Sequence, residues 1–271
     1  MLVDQGDRCF FDHPLDHVPG MVLVAAILDL VGAREPRSAG AADGRLRLSL
    51  TFDRMCELGR PVSLHSEPAT ADDGPAWRLL AVQDDVAVCR ASVALGRVDG
   101  PAVPPAAARA VPSAAARAVP PGGVREDGAP ADQALVHRHL PENVLVGGPK
   151  RVERAAVLVP PPGHRLAGAG THAPGALIES ARQLATLLGH TAHGRDADAQ
   201  MLWLSLEADV PTALPVAVPL ELCWEFAPAR GARAVYRFVV VHAESGERYG
   251  RIEIGVHTLS RAGYRKRRAA R

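Results

Sequence analysis

The chain has few cysteines, no excess charge of one sign and no long apolar run, and each shortage excludes a class of protein. Its four cysteines, Cys9, Cys56, Cys89 and Cys223, are scattered over 271 residues with no Cys-x-x-Cys pair or other ligand spacing. That pattern argues for reduced thiols in a cytoplasmic protein, against a disulfide scaffold and against a zinc site. Lys plus Arg is 31 and Asp plus Glu is 30, so no overall field draws the chain to nucleic acid or to a membrane. The basic tail Arg261, Arg265, Lys266, Arg267, Arg268 and Arg271 is a local exception; it reads as a solvated terminus, or as a dock for an acidic carrier protein or a phosphate. No apolar run approaches the ~18 residues of a membrane span. The opening residues 1–7 have neither the basic end nor the apolar core of a secretion signal. A Gly-rich phosphate loop and a Gly-x-Ser-x-Gly elbow are also missing. The expectation is a cytoplasmic protein with no metal and no cofactor.

What is abundant is proline, and it is concentrated. Between Val98 and Gln133 stand Pro101, Pro104, Pro105, Pro112, Pro120, Pro121 and Pro130, with Ala-Ala-Ala-Arg-Ala-Val-Pro written twice, at 106–112 and 114–120. Prolines at that density forbid a regular helix or inner strand, and alanines offer little to bury. The stretch reads as a semi-extended linker at 98–133, between domains at 1–97 and 134–271.

Each flanking half reads as one buried helix with a meander of strands. In the first half, Pro19 to Val31 is apolar at nearly every position, which predicts a helix covered on most sides. Strands follow at Leu46–Phe52, Pro61–Ser66, Ala76–Gln83 and Val86–Leu95, with apolar alternation at Leu46, Leu48, Leu50 and Phe52. In the second half, short strands are expected at Asn143–Val146 and Ala155–Val159, and a helix at Ala176–Leu188 opened by Pro174. Long strands at Met201–Leu206, Leu214–Phe226, Ala234–Ala243 and Glu247–Leu259 complete the pattern. A twisted antiparallel sheet wrapped round each helix is the economical way to cover it. The second half has two strands before its helix; the first has room for a fragment only, so the first copy reads as truncated or Met1 as not its real start.

The two helices begin alike and then diverge. His17-Val18-Pro19-Gly20 opens the first and His172-Ala173-Pro174-Gly175 the second. At an offset of about 154 positions, Glu179 and Arg182 of the second helix correspond to Ala25 and Leu28 of the first. One working site and one decayed copy is the expected result. Glu179 in a largely apolar helix is expected to have a raised pKa and to serve as a base, with Arg182 beside it on the same face. The helix N-termini, with Gly20 and Gly175, offer free N–H groups for a carbonyl becoming an oxyanion.

These motifs resemble the hotdog fold of acyl-thioester enzymes, and more closely the A-factor biosynthesis hotdog family of γ-butyrolactone synthases. The resemblance rests on Phe10-Phe11-Asp12-His13-Pro14-Leu15-Asp16-His17-Val18-Pro19-Gly20-Met21, on Val136-His137-Arg138-His139-Leu140-Pro141-Glu142-Asn143, and on Glu179-Ser180-Ala181-Arg182-Gln183. It implies an α+β tandem hotdog fold. Its implied activity is acyl transfer in secondary metabolism, from a β-ketoacyl carrier protein or acyl-CoA to dihydroxyacetone phosphate or a similar small phosphorylated hydroxy compound. Catalytic roles then fall to Glu179, Arg182 and His17. Gln183, His172, Gly20, Gly175 and His13 would contact substrate. In hotdog dehydratases the histidine of one copy works with the acid of the other, which predicts that His17 faces Glu179. Two departures stand out: the copy with the Asp-His-Pro-Leu-Asp-His motif comes first, and it continues into Ala25-Ala26-Ile27-Leu28-Asp29 without the acid. A dehydratase or thioesterase on a carrier-bound chain, and a non-catalytic acyl- or lactone-binding protein, remain alternatives. Pairing of hotdog domains across chains leaves a homodimer open.

Overall fold

The computed structural model describes residues 2–36, 41, 43–71, 74–97, 128–151 and 153–269. Helix α1, Gly20–Arg34, has no proline or glycine between Met21 and Val31, and it buries Met21, Val22, Leu23, Val24, Ala25, Ile27 and Val31. That burial reaches round most of the helix, as its unbroken apolar composition requires. Strands β1 (Gly44–Phe52), β2 (Ser63–Ala69), β3 (Ala76–Gln83) and β4 (Val86–Arg97) follow. Leu46, Leu48 and Leu50 of β1 all face the core. The β3–β4 hairpin closes on Asp84 and Asp85, both at positive φ. A two-residue hairpin turn of that kind matches the twist of the strands, and aspartate tolerates the left-handed region better than most residues.

The second half contains β5 (Val146–Arg151), β6 (Arg154–Val157), the two-residue β7 (Thr171–His172), helix α2 (Pro174–Thr191) and β8 (Gln200–Pro211). After these come β9 (Leu214–Pro215), β10 (Leu220–Trp224), β11 (Arg233–His242), β12 (Arg248–Leu259) and helix α3 (Arg261–Ala269).

Ten strands form one antiparallel sheet in the order β2-β3-β4-β1-β8-β12-β11-β10-β6-β5, while β7 pairs with β9 alone. The seam lies between β1 and β8, in the register Leu46↔Val210, Leu48↔Ala208 and Leu50↔Leu206. These buried pairs make the two cores continuous. Moving outward from the seam, β1, β4, β3 and β2 answer to β8, β12, β11 and β10, so the halves are two copies of one unit. Among the described residues, β5 and β6, which precede the helix of the second copy, have no counterpart in the first. Helices α1 and α2 pack against each other in the shared core.

Three local expectations need correction. The long strand expected over 214–226 is broken, because Pro215 and Pro219 withhold the donors a ladder needs, and only Leu220–Trp224 pairs with β11. The strand expected at Asn143–Val146 is instead a 3₁₀ turn at Pro141–Asn143, with β5 beginning at Val146. The basic tail is helical through Ala269, docked by buried Tyr264 while Arg261, Arg265, Lys266 and Arg267 stay exposed; Arg271 lies outside the described residues. Residues 98–127 lie outside the described residues. Of the expected linker, the described residues 128–131 lie along β5, where Pro130 bridges Gly147 and the Ala131 N–H donates to the Val146 carbonyl.

Candidate active site

The doubling of the unit produces two clefts, each where the N-terminus of one central helix meets the middle of the other. The first, about 240 Å³, is lined by His17, Pro19, Gly20 and Met21 at the start of α1 and by Arg182, Ala185 and Thr186 of α2. The second, about 250 Å³, is lined by Ala173, Pro174 and Gly175 at the start of α2 and by Leu28, Val31 and Gly32 of α1. The helices begin at Gly20 and Pro174, 154 positions apart (174 less 20), and the facing residues keep that offset. Arg182 therefore answers to Leu28, and Glu179 to Ala25. The first cleft and its floor hold the Glu179–Arg182–Arg138 cluster; the second is lined mainly by apolar residues, its charged lining residues Asp29 and Arg165 being paired with each other.

Glu179 is buried beneath the first cleft. Its Oε1 accepts from Arg138 Nη2 at 2.5 Å, Arg182 Nη2 at 2.8 Å and Gln183 Nε2 at 2.7 Å, and its Oε2 accepts from Arg182 Nε at 2.8 Å. Burial pushes this carboxyl up, but the Arg138 and Arg182 guanidiniums outweigh it and hold the group down at about 2. The expected raised pKa is thus reversed: Glu179 is a permanent carboxylate between two cations, unsuited to take a proton near neutrality. Arg138 and Arg182 both line the cleft. Nη1 of Arg182 has no partner among the described residues.

Arg138 was not singled out by its sequence. It lies in the loop before the 3₁₀ turn, buried, and joins the two halves by donating to Glu179, to the Cys9 carbonyl at 3.0 Å and to Asp12 at 3.5 Å. Asp12 also accepts from His13 Nδ1 at 2.6 Å, Asn143 Nδ2 at 3.2 Å and the His139 N–H at 3.1 Å. Despite burial, these donors and Arg138 hold its carboxyl well below the usual range. The Phe10–Met21 motif and the Val136–Asn143 motif are therefore two sides of one polar junction. His13 lines the cleft, and its ring lies 5.0 Å from that of His139.

His17 does not hydrogen-bond to Glu179, contrary to the facing pair expected. Its Nδ1 lies 2.8 Å from Asp16 Oδ1 and 3.1 Å from the Tyr264 hydroxyl, which itself donates to Asp16 at 2.6 Å. Burial raises the Asp16 pKa, but the His17 and Tyr264 bonds and Arg268 outweigh it and keep Asp16 ionised. An ionised carboxylate only accepts, so Nδ1 carries the proton and the Nε2 lone pair is left for the cleft. Arg268 secures the same loop, donating to Glu57 at 2.6 and 2.7 Å and to the Asp16 carbonyl at 3.0 Å.

The N-terminus of α1 is also better equipped than that of α2. The first bond inside α1 runs from Val22 N–H to the Pro19 carbonyl, leaving the Gly20 and Met21 N–H groups free of the ladder. In α2 the proline sits one place later, at the first helical position, and removes one such donor. A Cβ at Gly20 would lie 3.0 Å from Phe52 and 3.2 Å from Trp203, so a larger residue there requires those rings to shift. At Gly175 the nearest contact would be Leu166 at 3.3 Å, and this residue borders the apolar second cleft.

Two further expected substrate contacts are occupied internally. Gln183 is fully buried; its Oε1 accepts from the Leu145 N–H and its Nε2 donates to the Asn143 carbonyl and to Glu179. His172 is buried, donates from Nε2 to the Val218 carbonyl at 3.0 Å, and does not line the first cleft. His137 lines the cleft and pairs with His190, Nε2 to Nε2 at 2.9 Å; burial, aided by His190 and Arg182, pushes it down to about 4. The four cysteines are free, and burial drives the thiols of Cys9 and Cys89 up to about 12, which leaves no thiolate nucleophile there. Among the described residues no group of three or more His, Cys, Asp or Glu is placed to hold a metal, and no helix is long and apolar enough to cross a membrane.

Two helices gripped by one continuous sheet, with a polar cleft at their junction, define a tandem hotdog protein. Solved structures with this fold include the dehydratase domain of the polyketide protein PpsC from Mycobacterium tuberculosis, with TM-score 0.56, 15% identity, and coverage of 95% of this chain and 91% of that one. The dehydratase domain of RzxB from Pseudomonas fluorescens gives 0.56 at 12% identity, over 89% and 86% of the chains. A putative thioesterase II from Thermobifida fusca gives 0.54 at 13% identity, over 96% and 91%. The family model of the A-factor biosynthesis hotdog domain matches residues 122–259, half of the chain, and the chain belongs to that family. A stretch of 88 residues is 39% identical to the 2-oxo-3-(phosphooxy)propyl 3-oxoalkanoate synthase of Streptomyces virginiae; it spans 32% of this chain and 29% of that protein.

Proposed function

We propose that the protein is an acyltransferase that esterifies a small phosphorylated hydroxy compound, such as dihydroxyacetone phosphate, with a β-ketoacyl group from a carrier-protein or CoA thioester. The observation that carries this reading is the first cleft, which brings an oriented imidazole, a free helix N-terminus and two cations into one space. The name of the Streptomyces virginiae relative, a phosphooxypropyl 3-oxoalkanoate synthase, supports the same substrate classes.

His17 Nε2 takes the proton of the acceptor hydroxyl as its oxygen attacks the thioester carbon. The carbonyl oxygen, now an oxyanion, is held by the Gly20 and Met21 N–H groups. Collapse of the tetrahedral centre breaks the carbon–sulfur bond, and the thiolate leaves with the proton returned from His17. The acceptor phosphate lies on Arg182 and Arg138, whose planar guanidiniums suit its oxygens. Glu179 is a positioning residue, fixing both guanidiniums. The domain division proposed with this reading sets repeats at 1–97 and 134–271, joined by 98–133.

The protein is tested by incubating it with a β-ketoacyl thioester, with and without dihydroxyacetone phosphate, while released thiol is followed. Release that requires both compounds is expected. Release without the acceptor points to a thioesterase, a reading that His17 and the α1 N-terminus also support because neither depends on the cations. No release in either arm refutes both enzyme readings and leaves the acyl-binding protein.

A further inference from the structure

Two arginines on the wall of the first cleft take no part in the reaction as written. Arg54 and Arg267 line it, both are exposed, and neither guanidinium has a hydrogen-bond or ion-pair partner among the described residues. Other arginines nearby are neutralised: Arg90 pairs with Asp53, Arg60 with Asp84 and Arg268 with Glu57. Asp53 is the one acidic residue on the cleft wall among the described residues, and its pairing leaves the wall net cationic.

Both arginines are carried by fixed backbone. Arg54 follows β1, where the Asp53 and Arg54 N–H groups donate to the Val88 carbonyl at 3.0 and 3.4 Å. Arg267 rides on α3, which buried Tyr264 and the Arg268–Glu57 contact hold against the His17 loop. The cleft is therefore graded. Its floor holds Arg138 and Arg182, partly neutralised by Glu179. Its exposed rim holds two cations with no counter-charge.

The cleft also carries an apolar wall of Phe10, Met21 and Leu23 suited to an acyl chain; in the acyl-thioester reading, a chain on that wall with its carbonyl at the α1 N-terminus leaves the rim for the sulfur-linked arm. We propose that Arg54 and Arg267 bind the phosphate at the far end of the pantetheine arm of the acyl donor, a subsite separate from the floor where the acceptor phosphate lies. The proposal rests on the acyl-thioester reading. It assigns the two pairs of arginines to the two phosphates of the two substrates.

Calorimetric titration with pantetheine, 4′-phosphopantetheine and coenzyme A tests it without turnover. Phosphopantetheine is expected to bind at least about tenfold more tightly than pantetheine, by the loss expected for charge-assisted hydrogen bonds. In the Arg54→Ala, Arg267→Ala double variant that advantage disappears, while pantetheine binds as before. Coenzyme A binding no tighter than phosphopantetheine means that the site reads the phosphate shared with a holo carrier protein; tighter binding means that the nucleotide end adds contacts to the same subsite. Equal affinity for pantetheine and phosphopantetheine, or an unchanged preference in the double variant, overturns the proposal. Failure of the acyl-transfer reading looks different: the phosphate-dependent binding persists, but no donor releases thiol in the presence of acceptor.

Discussion

Replacing Arg138 with methionine removes a buried cation that contacts Glu179, Asp12 and the Cys9 carbonyl together. Methionine fills similar space, so the loss is chiefly electrostatic. Breaking a buried ion pair by removing one partner costs about 3–5 kcal/mol, because the other charge is left without its neutraliser. The Glu179 carboxyl sets a comparable scale. Its pKa falls from 4.5 to about 2 on folding, and that gap corresponds to about 3 kcal/mol. A loss of 3–5 kcal/mol lowers the melting temperature of a domain this size by about 6–20 °C. The pH dependence has a definite sign. Because the folded pKa is depressed, Glu179 stabilises the fold above the unfolded pKa of 4.5, and this contribution is lost as pH falls toward 2. In Arg138→Met, Arg182 remains but burial lifts the carboxyl, so less stability is left to lose between pH 5 and 2. Urea denaturation at pH 7 and pH 3.5, followed by far-ultraviolet circular dichroism, measures both effects. A variant within about 0.5 kcal/mol of the parent at pH 7, with the same acid dependence, refutes the buried clamp.

His17→Gln should keep the fold and lower the thiol-release rate by about 10²–10⁴-fold, the usual worth of a general base; retention of rate in steady-state assays removes His17 from the chemistry. Tyr264→Phe deletes the hydroxyl that donates to Asp16, so kcat should fall with KM unchanged, at a stability cost of about 0.5–1.5 kcal/mol by denaturant titration. Gly20→Ala forces Phe52 and Trp203 to move and should destabilise by about 1–3 kcal/mol; the intrinsic fluorescence of Trp203 should change with it, whereas Gly175→Ala leaves the rate unaltered. Gln183→Leu strands the Leu145 N–H and the Asn143 carbonyl and should cost at least about 1–3 kcal/mol, which thermal melts would show.

Much of the architecture was legible locally. The Leu46-Leu48-Leu50 alternation identified β1, the uniformly apolar run after Pro19 identified a covered helix, and the two-residue gap between the strands expected at Ala76–Gln83 and Val86–Leu95 placed the hairpin. The likeness of the two His-x-Pro-Gly starts exposed the duplication. Where prolines cut across a run of apolar residues, at Pro215 and Pro219, hydrophobicity alone overstated the strand.

The site was legible only in part, and the reason is distance along the chain. Arg138 meets Glu179 across 41 positions, and Tyr264 meets His17 across 247. No local pattern encodes either meeting. Residue types and periodicity determined which segments are helix or strand, and that Glu179 and Arg182 of the second helix have only Ala25 and Leu28 as their equivalents in the first, because those properties belong to neighbours in sequence. The tertiary structure alone decided that Glu179 is clamped as a carboxylate, that His17 takes its orientation from Asp16 and Tyr264, and that the tail becomes a helix bearing on the cleft. A protonation state and a hydrogen bond depend on which charges and dipoles lie within a few ångströms, and folding, not sequence proximity, chooses those neighbours.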